Sequence, residues 1–310
     1  MKKALQTLIL AGVLALGLGA IASPASATSQ LKIDALGDSF TSGYGADSEK
    51  WGAPNYNVYD QSTRIKDVNE CHRSTTAYPQ VIANQLGADL NSAACAGAET
   101  DNIIDTPQRT SPPQIDVLRS DADIVMLTAG GNPSFMPLFE CAAGQAQKCR
   151  PSSAAYQNAL ADYTDESLGV RLDATYQAIK QKAPNAQKYL AVGYIPFMPR
   201  NALEIGTCAA YISTVPYPGE ISELTMTNNM VKAVNNVVKS AAERNGFTYI
   251  DLAGLVNSYN SACGAPGKTL AHAIRTDFLV NEGGYNYSFH PTINGHKAMA
   301  NAIMTQAGLR

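Results

Sequence analysis

Apolar residues run through this chain in two alternating rhythms. Short continuous runs read as buried strands: Leu31 to Leu36, Ile124-Val125-Met126-Leu127, Tyr189 to Ile195 and Phe247 to Leu252. Between them the spacing turns helical. Tyr78, Val81, Ile82, Gln85 and Leu86 predict one helix, with Gly87 as its end. Leu168, Leu172, Tyr176 and Ile179 predict another, stopped by Pro184. Ile221, Leu224, Val231, Val234, Val238 and Ala241 predict a long one, and Asn294 to Ala307 a last one. Strands alternating with helices predict an α/β fold, a three-layer α/β/α sandwich whose mostly parallel sheet is covered on both faces. Sites in such sheets gather beyond the C-terminal ends of the strands.

Three stretches break the rhythm and read as loops: Ala46 to Asn69, Pro199 to Gly219 and Ser258 to Tyr287. Each is rich in Gly, Pro, Asn and Tyr. No internal repeat or linker divides the chain, so residues 28–310 are expected to form a single domain.

The first 27 residues have a different pattern. Lys2 and Lys3 precede an apolar stretch from Leu8 to Ala22, and Ala25-Ser26-Ala27 offers a small-residue cleavage site. This is the form of a secretory signal peptide. The apolar stretch is shorter than the roughly 20 residues that span a bilayer. No cysteine near Ala27 offers a lipid attachment point, so no stable membrane anchor is expected. Cleavage there leaves 283 residues and removes two of the 23 basic residues against 26 acidic ones, a net charge of −5. A mildly acidic, unclustered balance gives no case for a nucleic-acid partner. A monomer is the default.

Cys71, Cys95, Cys141, Cys149, Cys208 and Cys263 are even in number and all follow the signal. Three disulfides are expected in an oxidising compartment. Connectivity stays open; the sequential one (71–95, 141–149, 208–263) closes one local loop per bridge. No Cys-x-x-Cys pair and no His/Cys cluster suggests a metal.

Candidate chemistry enters at both ends. Gly37-Asp38-Ser39 follows the first strand and precedes Gly43 and Gly45, which puts a hydroxyl on a tight turn. A free hydroxyl is a poor nucleophile and needs a base within hydrogen-bond reach. His290, in Phe289-His290-Pro291, is the candidate base. Taken singly, Ser39 reads better as a helix cap, Asn132 as a turn residue, and His290 and His296 as structural histidines. Asp38 reads as a turn-former and Arg73 as a loop residue.

Four blocks stand in order: Gly37-Asp38-Ser39, Cys95-Ala96-Gly97-Ala98-Glu99-Thr100, Gly130-Gly131-Asn132 and Phe289-His290-Pro291. This order resembles the SGNH (GDSL-type) hydrolases, closest to secreted actinobacterial lipases and esterases with three disulfides. The resemblance spans residues 31 to 305. It implies a flavodoxin-like sandwich and carboxylic-ester hydrolysis through an acyl-enzyme, without cofactor or metal. Ser39 would be the nucleophile and His290 the general base. The oxyanion hole would be the backbone N–H of Ser39, the backbone N–H of Gly97 and the side-chain amide of Asn132.

The chain departs from the family pattern twice. Pro133 follows Asn132 where the family often has Asp, which stiffens the turn and removes one N–H. Tyr287 stands three residues before His290, where many relatives carry Asp. The resemblance to dyad enzymes then implies that the backbone carbonyl of Ser288 orients His290. The expected substrate is a lipid-like acyl ester. The alternatives are a polysaccharide O-acetyl esterase on the same scaffold and a catalytically silent secreted binding protein. No serine lies in Gly-x-Ser-x-Gly, against an α/β-hydrolase elbow.

Overall fold

The computed structural model describes residues 30–46, 71–135, 137, 151–199, 221–264, 267–272 and 289–310. The segments 1–27, Cys141, Cys149, Cys208, Tyr287 and Ser288 lie outside the described residues, as do most of the three loop stretches.

Strands β1 (Lys32–Gly37), β2 (Asp89–Ser92), β3 (Ile124–Thr128), β4 (Lys188–Val192) and β5 (Thr248–Ile250) form one sheet in the order β2-β1-β3-β4-β5. Every pairing is parallel, with Ile33 opposite Ile124 and Gly37 opposite Thr128. This is the flavodoxin-like order. The chain runs outward from β1 to β2, then crosses back to β3, β4 and β5. With right-handed crossovers, that reversal puts helices on both faces. Helix α2 (Tyr78–Leu86) packs on α7 (Ile293–Ala307). On the opposite face α3 (Thr100–Ile104) packs on α5 (Val170–Lys182), which packs on α6 (Ile221–Arg244).

The expected periodicities correspond to buried faces. All five residues of β3 are buried, which explains its unbroken apolar run. Leu168, Leu172, Tyr176 and Ile179 are buried too, each worth about 1.5–3 kcal/mol on the aliphatic scale. Leu168 belongs to a π-helical turn, Asp165–Gly169, that leads into α5. Gly87 ends α2 in the left-handed conformation, φ 61°.

Two strands are shorter than their apolar runs. β4 stops at Val192 rather than Ile195, because the N–H and C=O of Tyr194 are both taken by the Asn235 side chain of α6, each at 2.8 Å. β5 keeps only Thr248–Ile250 of the run from Phe247 to Leu252. β2 (Asp-Leu-Asn-Ser) lacks an apolar pattern because it is a half-exposed edge strand. Helix α4 (Ala154–Asp162) has a weak apolar face and buries only Tyr156 and Ala159.

Candidate active site

The reversal of strand order between β1 and β3 opens a crevice at their C-terminal ends. The chain leaving β1 must turn sharply beneath β3. Gly37 permits this with φ 118°; a Cβ there would lie 2.2 Å from the Thr128 carbonyl oxygen. The Gln114 side chain holds both backbone groups of Gly37, at 2.7 and 3.0 Å. A short helix α1 (Ser39–Ser42) follows. Its cap is Asp38, whose Oδ1 accepts the Phe40 N–H at 2.9 Å. Ser39 is therefore not the capping residue, and its hydroxyl is free for another partner.

That partner is His290. Its Nε2 lies 2.7 Å from Ser39 Oγ across 251 residues of sequence, with both residues buried. The histidine is held from behind. His272 N–H donates to the His290 carbonyl at 2.9 Å, and Phe289 N–H donates to the His272 carbonyl at 3.2 Å. The rings of Phe40 and Tyr44 flank the imidazole, with centroids 5.3 and 5.4 Å away. Phe289 takes a positive φ of 64° and stacks near Phe197.

Gly97 follows β2 on the turn after Cys95. Glycine is required there by its backbone, φ 82°, rather than by crowding: a Cβ would meet only the Gln108 side chain, at 3.6 Å. Gln108 Nε2 donates to the Ala96 carbonyl at 2.9 Å. That carbonyl and the Gly97 N–H belong to one planar peptide, so Gln108 fixes the direction in which the N–H points. Among the described residues, neither the Ser39 nor the Gly97 N–H meets an acceptor. Both remain available to a ligand. The disulfide Cys71–Cys95 anchors this turn, reinforced by Ala96 N–H on the Cys71 carbonyl and Cys95 N–H on the Gly37 carbonyl, both 3.0 Å. Cys263 is also disulfide-bonded.

Asn132 follows β3, joined to Pro133 by a cis peptide. One N–H of its side-chain amide donates to the Ala98 carbonyl at 3.1 Å, which ties it to the Gly97 turn and leaves the second N–H. Gly131 N–H donates to the Tyr194 hydroxyl at 2.8 Å, and the Gly131 carbonyl accepts from Tyr163 at 2.8 Å. Tyr194 in turn donates to Asp38 Oδ2 at 2.5 Å. Burial drives the Asp38 carboxyl up to about 7, only partly offset by the bonds from Tyr194 and Phe40.

Ser39, the first residue of α1, and Gly97, Asn132 and His290 on loops thus all lie at this end of the sheet, while Ser288 falls outside the described residues. His296 stands apart: it is buried in α7 and bonded to the Tyr78 N–H. Arg73 donates to the Ser92 carbonyl at 2.7 Å, a contact with the edge strand. Tyr194, Tyr163 and Gln108 carried no motif. The only sequence signal for Tyr194 was a phenol at the C-terminal end of a parallel strand.

Residues 35–298 match the sequence profile of the GDSL-like Lipase/Acylhydrolase family. The chain belongs to that family. As a GDSL-like acylhydrolase it is an ester hydrolase. It is 28% identical to Lipase 2 of Streptomyces coelicolor, over 98% of this chain and 96% of the relative. It is 30% identical to a lipase of Streptomyces rimosus, over 84% and 81%. Two solved structures share the fold with a TM-score of 0.65. One is an extracellular lipase from Streptomyces rimosus, at 24% identity over 89% of this chain and 99% of that one. The other is phospholipase A1 from Streptomyces albidoflavus NA297, at 26% identity over 90% and 100%. These alignments cover 84–98% of this chain.

Proposed function

We propose that this ester hydrolase is a secreted, metal-independent lipase or esterase that works through a Ser39–His290 dyad and an acyl-enzyme. The observation that carries this reading is the 2.7 Å contact between His290 Nε2 and Ser39 Oγ, with both side chains buried.

In this mechanism the Ser39 hydroxyl donates to His290 Nε2. As Oγ attacks the ester carbonyl carbon, its proton passes to the imidazole. The carbonyl oxygen becomes an oxyanion, received by the N–H groups of Ser39 and Gly97 and the second amide N–H of Asn132. One such donor is typically worth about 2.7–4 kcal/mol in the transition state. His290 then gives its proton to the leaving alkoxide oxygen as the C–O bond breaks. Water, deprotonated by the same imidazole, attacks the acyl carbon, and the imidazolium returns its proton to Ser39 Oγ as the ester C–O bond breaks and the acid leaves. The Ser288 carbonyl would orient the ring by accepting from Nδ1–H.

Residues 1–27 are read as a signal peptide and residues 28–310 as one catalytic domain. Among the described residues no helix is long and apolar enough to cross a membrane. The relatives named as lipases and as a phospholipase A1 favour lipid-like acyl esters as substrates.

The test is turnover of p-nitrophenyl esters from acetate to palmitate by the mature oxidised protein, beside Ser39→Ala. A serine-directed phosphonate should block activity with one equivalent bound. Turnover surviving in Ser39→Ala would end the dyad reading. An optimum at acetate alone would favour a deacetylase over a lipase.

A further inference from the structure

We propose that Tyr194 is a positioning residue, one phenol that sets the nucleophile turn and the Asn132 loop at a fixed separation. The inference rests on the reading of Ser39 as nucleophile and Asn132 as oxyanion donor.

Tyr194 lies two residues beyond β4 and is fully buried. Its oxygen has two partners. It donates to Asp38, the residue before Ser39, and accepts from the N–H of Gly131, the residue before Asn132. The two segments, one leaving β1 and the other β3, also meet at their base, where the Asp38 N–H donates to the Thr128 carbonyl and the Thr128 N–H to the Thr41 hydroxyl, both at 3.0 Å. Beyond that base the Tyr194 oxygen joins them again, one residue from each proposed catalytic group.

The surroundings fix that atom on every side. Asn235 clamps the Tyr194 backbone through both N–H and C=O. Phe40 and Phe135 meet the ring edge-on, with centroids 4.8 and 5.1 Å away. The far ends of the bridge are held as well: Asp38 Oδ1 caps Phe40, and Tyr163 donates to the Gly131 carbonyl. Glycine at 131 is a condition of the approach, since a Cβ there would lie 3.0 Å from the Tyr194 oxygen and 2.5 Å from the Phe135 ring.

The direction of the bonds is also set. An N–H cannot accept, so it is to the Asp38 carboxylate that the phenol gives its one proton. The bridge thus consists of two hydrogen bonds in a buried site, where small displacements matter. An error of about 1 Å in aligning catalytic groups is known to cost on the order of 100-fold in rate.

Tyr194→Phe keeps the ring and its packing and removes only the bridging oxygen. We expect kcat on a p-nitrophenyl ester to fall about 10- to 100-fold with KM within about twofold. Asn132→Ala should also lower kcat. The double variant should be no slower than Asn132→Ala alone, because a missing amide cannot be misplaced. Wild-type kcat in Tyr194→Phe, or single effects that multiply in the double variant, would overturn the inference while leaving the dyad intact. Wild-type kcat in Asn132→Ala would instead overturn the oxyanion reading, and the inference with it. Circular dichroism and a thermal midpoint accompany each variant. Should Tyr194→Phe fail to fold, Tyr163→Phe frees the other end of Gly131 and must show the same lack of additivity with Asn132→Ala.

Discussion

The imidazole of His296 accepts, through Nδ1, the backbone N–H of Tyr78 at 3.2 Å, so that α7 caps the first turn of α2. The Tyr78 N–H is one of the donors a helix start leaves without an internal partner. Ala77, at the capping position, has no side chain to supply an acceptor. His296 supplies it from 218 residues away and must be neutral at Nδ1 to do so.

His296 should therefore make folding sensitive to acid. Burial, and then the nearby His290 and His272, lower its pKa from 6.5 to about 3. Between those values the unfolded chain binds a proton that the folded chain refuses. The stability is fully present above about 6.5 and is lost as pH falls toward 3. His296→Asn keeps an acceptor without a titrating ring. The wild-type advantage in urea-unfolding free energy should grow by a few kcal/mol, roughly, from pH 4 to pH 7. Parallel pH profiles for the two proteins would refute this.

Asp38 should act with the opposite sign in nearly the same window. Its carboxyl rises from 3.8 to about 7, chiefly through burial. A folded pKa above the unfolded one gives stability that is complete below about 4 and is lost as pH rises through 7. Asp38→Asn retains an oxygen to cap Phe40 and cannot ionise. Relative to this variant, the wild type should lose stability between pH 4 and pH 7.5, on the order of a few kcal/mol. A difference that stays level across that range would show that Asp38 does not titrate there.

The Cys71–Cys95 bridge should be felt at the proposed oxyanion turn as well as in stability. It closes a loop of sequence separation 24, for which chain entropy gives about 3 kcal/mol. Cys95 lies two residues from Gly97 and bonds to the Gly37 carbonyl. The paired substitution Cys71→Ser with Cys95→Ser should lower the thermal midpoint by several degrees, roughly. It should also cut kcat at temperatures where the protein remains folded. Full kcat in the folded variant would mean that backbone bonds alone hold the turn.

How much of this was legible in the sequence depends on burial. The run Ile124 to Leu127 and the series Leu168, Leu172, Tyr176, Ile179 are buried throughout, so hydrophobicity alone marks them. β2 was silent because an exposed edge strand needs no apolar side chains. Helix α3 is a single turn held by a Glu99–Asn102 capping box, too short for a period to show. The four motif blocks named Ser39, Gly97, Asn132 and His290 as candidates, and the fold puts Ser39 against His290 and Asn132 against the Gly97 turn. Tyr194 and Gln108 act through hydrogen bonds to the backbone of distant segments. Nothing in the local sequence encodes such a partner; only the fold brings it near.

Gln108 gives the most direct test of that last kind of residue. Its amide reaches the Ala96 carbonyl at 2.9 Å from a turn in which Gln108 and Ser111 exchange backbone hydrogen bonds. The carbonyl is the far end of the peptide that carries the Gly97 N–H, so pulling on one end polarises and aims the other. Among the described residues its own Oε1 is buried and meets no hydrogen-bond partner. Gln108→Ala should lower kcat about tenfold, the equivalent of one ordinary hydrogen bond of about 1.4 kcal/mol. Gln108→Glu should do worse at neutral pH, because a carboxylate would face a carbonyl oxygen instead of donating to it, and should recover toward the alanine variant's rate as the acid is protonated. Equal rates for wild type and both variants would show that the Gly97 peptide holds its direction unaided.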